Sequence, residues 1–259
     1  MRKDTFTDHV MNRLDTLLCG GVPLIAVGFA DKTSAQVIQS AKQEGLDVAE
    51  LRVDLYESYQ HQYVLDVIRQ FKHLPSIATI RIGKEGGKWG LSEQQRLALF
   101  KAIVAEVDSV DIELQAEEIL SDVVKVTHEA GKLVFISYHN FDETPTLSAL
   151  NLVAKRAIEV GADAIKIATH AKSMADIRTL AQFTIEKASL NIVTMAMGAK
   201  GVVSRLFFPS LGSRLTFAYI GQPSAPGQLR FDETFDILRK LYPDFNQKKI
   251  SALELMEAA

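Results

Sequence analysis

The feature that most limits what this chain can fold into is an alternation of short apolar runs with longer amphipathic segments, repeated eight times in 259 residues. The apolar runs are Pro23 to Ala30, Val48 to Leu55, Ser76 to Ile82, Val110 to Leu114, Leu133 to Tyr138, Ala164 to Ala168, Asn191 to Met197 and Leu215 to Ile220. Several are apolar at consecutive positions, as strands are when a parallel sheet is covered on both faces. The intervening segments predict helices at Thr33 to Glu44, Gln62 to Phe71, Ser92 to Val107, Ala116 to Ala130, Leu147 to Val160, Met174 to Lys187, Val202 to Phe207 and Phe231 to Leu241. Ser92 suits a helix start, and Gly45, Gly131 and Gly161 suit helix stops. Eight such units predict an α/β fold of the closed (β/α)8 TIM-barrel type, for which ~250 residues is typical. An open doubly wound sheet is the alternative. It usually carries a Gly-rich phosphate turn after its first strand, whereas this chain reads VGFADKTS there. No low-complexity tract or linker divides the chain, so residues 1–259 read as one catalytic barrel, with residues 1–20 as an extra element beneath it.

Composition narrows the function classes. Lys and Arg total 29 against 32 Asp and Glu, a formal charge of -3, so no nucleic-acid partner is expected. Cys19 is the only cysteine, which excludes an intrachain disulfide and a cysteine zinc site. No apolar run is long enough to span a membrane, and the N-terminus lacks the apolar core of a secretory signal. The expectation is a cytoplasmic protein that needs no metal or cofactor.

In a barrel the chemistry collects at the C-terminal ends of the strands. Unusual polar residues fall there. Glu50 and Arg52 alternate within the second strand and so share a face. Arg81 ends the third strand, with Glu85 in the loop GKEGGKWG behind it. His139 follows the fifth strand, and Lys166 sits inside the sixth, flanked by Ile165 and Ile167. Met195 and Met197 share a face near the end of the seventh, and Arg205 lies just beyond. Each alone has a structural reading. Lys166 could be a paired strand lysine, His139 a packing histidine, Glu50 with Arg52 an ion pair, and the two methionines core. The charge-rich stretch from Glu113 to Lys125 reads as a solvated face.

The chemistry follows from convergence. Burial and neighbouring cations such as Arg52, Arg81 or Arg205 disfavour the ammonium of Lys166, and a lysine tuned in that way attacks carbonyls at neutral pH. The iminium it forms is an electron sink that acidifies the adjacent carbon. His139 is a base suited to that proton, Glu85 can orient its ring, and arginines suit a carboxylate on the substrate. Residue chemistry alone thus reaches a Schiff-base lyase or aldolase acting on a small anionic keto compound.

The ordered segments ELRVDL, RIGKEGG, SYHNF, IKIA, MAMGAKGVVSR, LTFAYIG and SAPGQL resemble the type I 3-dehydroquinate dehydratase family. The resemblance implies that Lys166 forms an imine with the C3 ketone of 3-dehydroquinate. It implies that His139 removes a C2 proton and protonates the departing C1 hydroxyl, with Glu85 orienting it. The product would be 3-dehydroshikimate by syn loss of water, the third step of the shikimate pathway. It further implies that Arg205, Ser224 and Gln228 bind the carboxylate, and that Glu50, Arg52 and Arg81 bind the ring hydroxyls. Met195, Met197 and Phe217 would form an apolar wall, and two copies would form a homodimer. Gly28 stands where many relatives carry a small hydroxyl residue. A class I aldolase, a barrel that merely binds a shikimate-type acid, and a phosphate-binding barrel are the competing readings.

Overall fold

The computed structural model describes residues 13–19 and 23–245. Eight strands form the frame: β1 (Leu24–Phe29), β2 (Val48–Arg52), β3 (Ser76–Thr79), β4 (Ser109–Glu113), β5 (Leu133–Asn140), β6 (Ala164–His170), β7 (Ile192–Met197) and β8 (Leu215–Ala218). The helices are α1 (Arg13–Cys19), α2 (Ala35–Gln43), α3 (His61–Arg69), α4 (Glu93–Ile103), α5 (Leu120–Glu129), α6 (Leu147–Glu159), α7 (Met174–Glu186), α8 (Val202–Phe207) and α9 (Phe231–Leu241). All pairings are parallel, in the order β7-β6-β5-β4-β3-β2-β1-β8. A parallel bridge between Ile192 and Ser213, and an Arg214 N–H that donates to the Ile192 carbonyl at 2.8 Å, bring the two ends together. The fold is a (β/α)8 TIM barrel.

Local chemistry explains the element ends. Ser92 caps α4 in a capping box with Gln95, and Gly45, Gly131 and Gly161 take positive φ after α2, α5 and α6. Several boundaries differ from the sequence expectation. β2 stops at Arg52 and a 3-10 turn covers Val53–Leu55, because Asp54 folds back to pair with Arg52 and also accepts the Lys88 N–H. β3 stops at Thr79. α5 begins at Leu120, four residues later than the pattern suggests. β5 and β6 run on to Asn140 and His170, so His139 lies within a strand and not after one.

Two apolar layers hold the barrel. One packs the outer faces of the strands against the helices, with Phe100, Phe183 and Phe208 fully buried in it. The other fills the interior, where Ala26, Val48, Ile77, Phe135, Val193 and Leu215 meet Leu14, Leu17 and Leu18 of α1. α1 therefore seals the N-terminal end of the barrel; residues 1–12 and 20 of the expected extra element lie outside the described residues. Each leucine buried there contributes roughly 1.5–3 kcal/mol. Carboxylates brace the same end. Asp47 accepts the Ile25 N–H at 2.7 Å, Asp108 the Ser76 N–H at 2.9 Å and Asp163 the Val134 N–H at 2.7 Å. Asp108 also pairs with Arg13 of α1 at 2.9 Å.

Candidate active site

Strand periodicity turns the barrel interior from apolar to charged along its axis. Because alternate residues face inward, β2 presents Val48, then Glu50, then Arg52. β4 presents Ser109, Asp111 and Glu113; β5 presents Phe135, Ser137 and His139; β6 presents Ala164, Lys166 and Ala168. The C-terminal half thus holds a buried layer of ionisable groups beneath an open cavity.

Lys166 is 5% exposed at the floor of that cavity. Its Nζ lies 2.9 Å from Glu50 Oε1 and 2.9 Å from Asp111 Oδ2, and 4.3 Å from the centre of the Phe217 ring. The charged groups touching Nζ are therefore carboxylates, not the arginines that the sequence suggested. Burial opposes ionisation of Glu50, but Lys166 and Arg52 outweigh it and hold the carboxyl below its ordinary range. Burial likewise opposes ionisation of Asp111, and Arg81 and Lys166 reverse that. Nor do Glu50 and Arg52 pair with each other in the hydrogen-bond pattern: Arg52 makes a two-point contact with Asp54 at 3.0 and 2.9 Å, and Glu50 also accepts the Thr79 hydroxyl at 3.1 Å.

His139 lies beside this layer. Its Nδ1 is 2.8 Å from Glu85 Oε2, and the same oxygen accepts the His139 backbone N–H at 2.9 Å. With that oxygen already accepting one donor, the ring is assigned the Nδ1–H tautomer, which leaves the Nε2 lone pair free. Burial favours the neutral form of both partners. It pushes the Glu85 carboxyl up to about 8 against the opposing pull of Arg81. With Arg81 and Lys166 it holds the His139 imidazole well below its usual range. The result is a neutral, oriented base at neutral pH. Glu85 reaches this position on a 3-10 turn, Gly83–Glu85. Gly87 lets the loop fold tightly behind it, since a Cβ there would collide with the Arg81 carbonyl.

Arg205 on α8 is 2% exposed and lines the same cavity. It donates to the Phe217 carbonyl at 3.2 Å, the Pro226 carbonyl at 3.4 Å and Met195 Sδ at 3.5 Å, while its buried Nε has no partner. No carboxylate pairs with it among the described residues. Burial lowers its pKa to about 10. A buried guanidinium with long contacts and a spare N–H is poised to receive an anion.

The cavity also gathers Glu50, Arg52, Arg81, Met195, Met197, Phe217, Ser224 and Gln228, so every residue singled out from the sequence lies around one space. Ser224 and Gln228 belong to the loop after β8, where Gln228 Oε1 accepts the N–H groups of Ser224 and Ala225 at 2.7 and 3.1 Å. Gly28 lies at the rim: a Cβ there would sit 3.4 Å from Glu50 Oε2 and 3.8 Å from Ser224 Oγ.

Two residues escaped the sequence reading. Asp111 bonds Lys166, Arg81 (2.7 Å) and Ser137 (2.6 Å). Glu113 is not part of a solvated face: it ends β4 fully buried and pairs with Arg81 and Arg96. The available signal was two acids at alternate positions of a strand in a parallel sheet, which has no solvated face to receive them.

Among the described residues, no group of three or more His, Cys, Asp or Glu is arranged to hold a metal ion, and no helix is long and apolar enough to cross a membrane.

Known proteins resemble this chain in sequence and in fold. The family model for type I 3-dehydroquinase matches residues 25–244. A 3-dehydroquinate dehydratase of Methanococcoides burtonii is 35% identical over 202 residues, covering 76% of this chain and 86% of its own. One from Listeria welshimeri is 36% identical over 241 residues, covering 87% and 95%. Among solved structures, the 3-dehydroquinate dehydratase of Geobacillus kaustophilus superposes with a TM-score of 0.79 at 31% identity, covering 85% of this chain and 92% of its own. The type I enzyme of Clostridium difficile, solved with covalently modified comenic acid, gives 0.77 at 32%, covering 86% and 94%. With the matching model spanning most of the barrel, the chain belongs to the type I 3-dehydroquinase family, a family of hydro-lyases.

Proposed function

We propose that this chain dehydrates 3-dehydroquinate to 3-dehydroshikimate through an imine on Lys166, the third step of the shikimate pathway. The observation that carries the reading is the placement of Lys166 on the floor of a cavity that also holds the neutral His139–Glu85 pair and Arg205, whose buried Nε has no partner. A small ring bearing a ketone and a carboxylate fits that set, with the carboxylate on Arg205 and the ketone at Lys166. Covalent modification in the Clostridium difficile structure supports covalent chemistry in the family.

The steps balance without an outside reagent. Lys166 sheds a proton to the site, adds to the C3 carbonyl and expels water, giving an iminium. His139 Nε2 takes a proton from C2, and the electron pair flows into the iminium to form an enamine. The enamine returns the pair to expel the C1 hydroxyl, which leaves as water with the proton from His139. Hydrolysis of the conjugated iminium then frees Lys166 and the product. Because the same imidazole removes and returns the proton, loss is syn. Glu50, Arg52 and Arg81 recognise ring hydroxyls, Met195, Met197 and Phe217 form the apolar wall, and Ser224 and Gln228 approach the carboxylate from the loop above. Excluding water until elimination is complete protects the imine. The homodimer implied by the family resemblance belongs to the same proposal and is readable by light scattering.

An aldolase would also form the imine, but it would break a carbon–carbon bond. Borohydride trapping tests the reading. With 3-dehydroquinate, a stable mass adduct mapped to Lys166, and 3-dehydroshikimate as the released product without borohydride, are expected. No adduct on folded protein would overturn the imine. Carbon–carbon cleavage products would overturn the dehydration.

A further inference from the structure

We propose that Arg96 and Glu113, neither of which lines the cavity, are positioning residues that set the geometry of Lys166 and of the His139–Glu85 pair together. The inference rests on the reading above that these groups act in one reaction.

Glu113 ends β4 with no exposed surface, and three donors converge on it. The Ile82 backbone N–H and Arg81 Nη1 lie 3.0 Å from Oε1, and Arg96 Nη1 donates to Oε2 at 2.7 Å. Each donor leads somewhere different. Arg81 also holds Asp111 at 2.7 Å, and the other Asp111 oxygen holds Lys166 Nζ at 2.9 Å. Ile82 opens the turn that carries Glu85, whose own N–H bonds back to the Ile82 carbonyl at 3.1 Å. The Glu113 carboxylate is thus the fork from which one branch runs to the nucleophile and the other to the base.

Arg96 holds that fork from outside the barrel. It projects from α4 with 0% exposure, donates to the Ile80 carbonyl at 3.0 Å, and meets Glu93 at 2.7 Å with its second nitrogen. From Glu93 through Arg96, Glu113, Arg81, Asp111 and Lys166 to Glu50, every charge has an opposite charge as its neighbour. A well-packed hydrophobic substitute for a buried ion pair is often as stable as the pair itself, so stability alone does not call for this chain. Its alternation fixes two oxygens and a turn in register, within the fraction of an ångström that an oriented reaction demands.

The charges make the idea testable by sign. Glu85 faces Arg81 from the segment after β3, Asp111 and Glu113 from β4, and His139 from β5, with Lys84 beside it on its own turn. Removing a negative neighbour eases ionisation of Glu85, and removing a positive charge from the chain hinders it. The experiment follows the Glu85 carboxyl by carbon NMR titration in ligand-free protein, alongside steady-state kinetics with 3-dehydroquinate. Glu113→Gln should move the Glu85 titration to lower pH and Arg96→Met to higher pH, each by about 1 unit. The double variant should return it toward the parent. Both single variants should lose kcat by roughly tenfold to a hundredfold with little change in KM, since neither residue touches substrate. Loss of stability alone does not produce opposite displacements. If Arg96→Met does not fold, Glu113→Gln and the double variant decide. A Glu85 titration unmoved in Glu113→Gln, or kcat within about twofold of the parent, would overturn the proposal. Parent protein that forms no borohydride adduct while these displacements hold would overturn the imine reading instead.

Discussion

Replacing Arg205 with methionine should separate binding from stability, in opposite directions. The guanidinium is 2% exposed, and its contacts are two carbonyls and a sulfur at 3.2–3.5 Å, with Nε unpartnered. In the ligand-free protein it is a buried cation without a counter-charge, a costly arrangement that a methionine of similar length relieves. The folded state should therefore lose nothing, and a gain of ~1 kcal/mol would raise Tm by roughly 2–4 °C in a chain of this size. Substrate binding should fare otherwise. A carboxylate arriving at Arg205 completes a buried, hydrogen-bonded pair, and truncating such a pair costs about 2–5 kcal/mol. At about 1.4 kcal/mol per decade that is roughly 30-fold to 4,000-fold in affinity. Steady-state kinetics, reading the conjugated product by its ultraviolet absorbance, should show the loss mainly in KM. Thermal denaturation of the same preparation should show Tm unchanged or raised. An unchanged KM would place the carboxylate elsewhere. A fall in Tm of several degrees would show that Arg205 braces the fold, and the argument from its unpaired charge would fail.

Other expectations concern the remaining groups. Lys166→Ala should abolish turnover and the borohydride adduct; near-normal turnover would refute the imine. Because burial, Arg81 and Lys166 depress the His139 pKa, its ring stays neutral as pH falls through 6.5. The acid limb of kcat/KM should therefore lie below that value. His139→Ala should remove this limb and let the imine accumulate, and elimination at the parent rate would demand another base. Leu18→Ala in α1, where Leu18 is 1% exposed, should cost about 2–5 kcal/mol of stability. A change under about 1 kcal/mol on denaturant titration would mean that the helix contributes little to the barrel.

How far the sequence revealed this depended on the kind of signal. The strand–helix alternation is a periodic property summed over many residues, and its expected elements match the observed order from β1 to α9. Ends of elements depend on single contacts. The stop of β2 at Arg52 is set by the return of Asp54, and nothing in VAELRVDL alone announces that return. The residues around the cavity were legible because a lysine, a histidine and arginines stand out among Ile, Val and Ala. Asp111 and Glu113 did not stand out, since acids next to Glu117, Glu118 and Asp122 resemble one more solvated stretch. The partners of Lys166 were out of reach for a related reason. Glu50 lies 116 positions away and Asp111 lies 55 away, and such distances are closed by barrel curvature, which local pattern does not encode.

The seal that α1 makes at the N-terminal end has a kinetic meaning. With Leu14, Leu17 and Leu18 packed into the interior, the barrel is closed beneath the cavity among the described residues. On the proposed imine route, substrate, the water released when the imine forms, the water that later hydrolyses it, and the product would all pass the Ser224–Gln228 loop that lines the cavity. A chamber open at both ends could let solvent in from behind while substrate held the front. On the proposed route, holding the loop down would keep hydrolytic water out, and freeing the product would admit it. On that route, the order of events, elimination first and hydrolysis with release afterwards, would follow from the plumbing of the barrel as much as from the reactivity of its side chains.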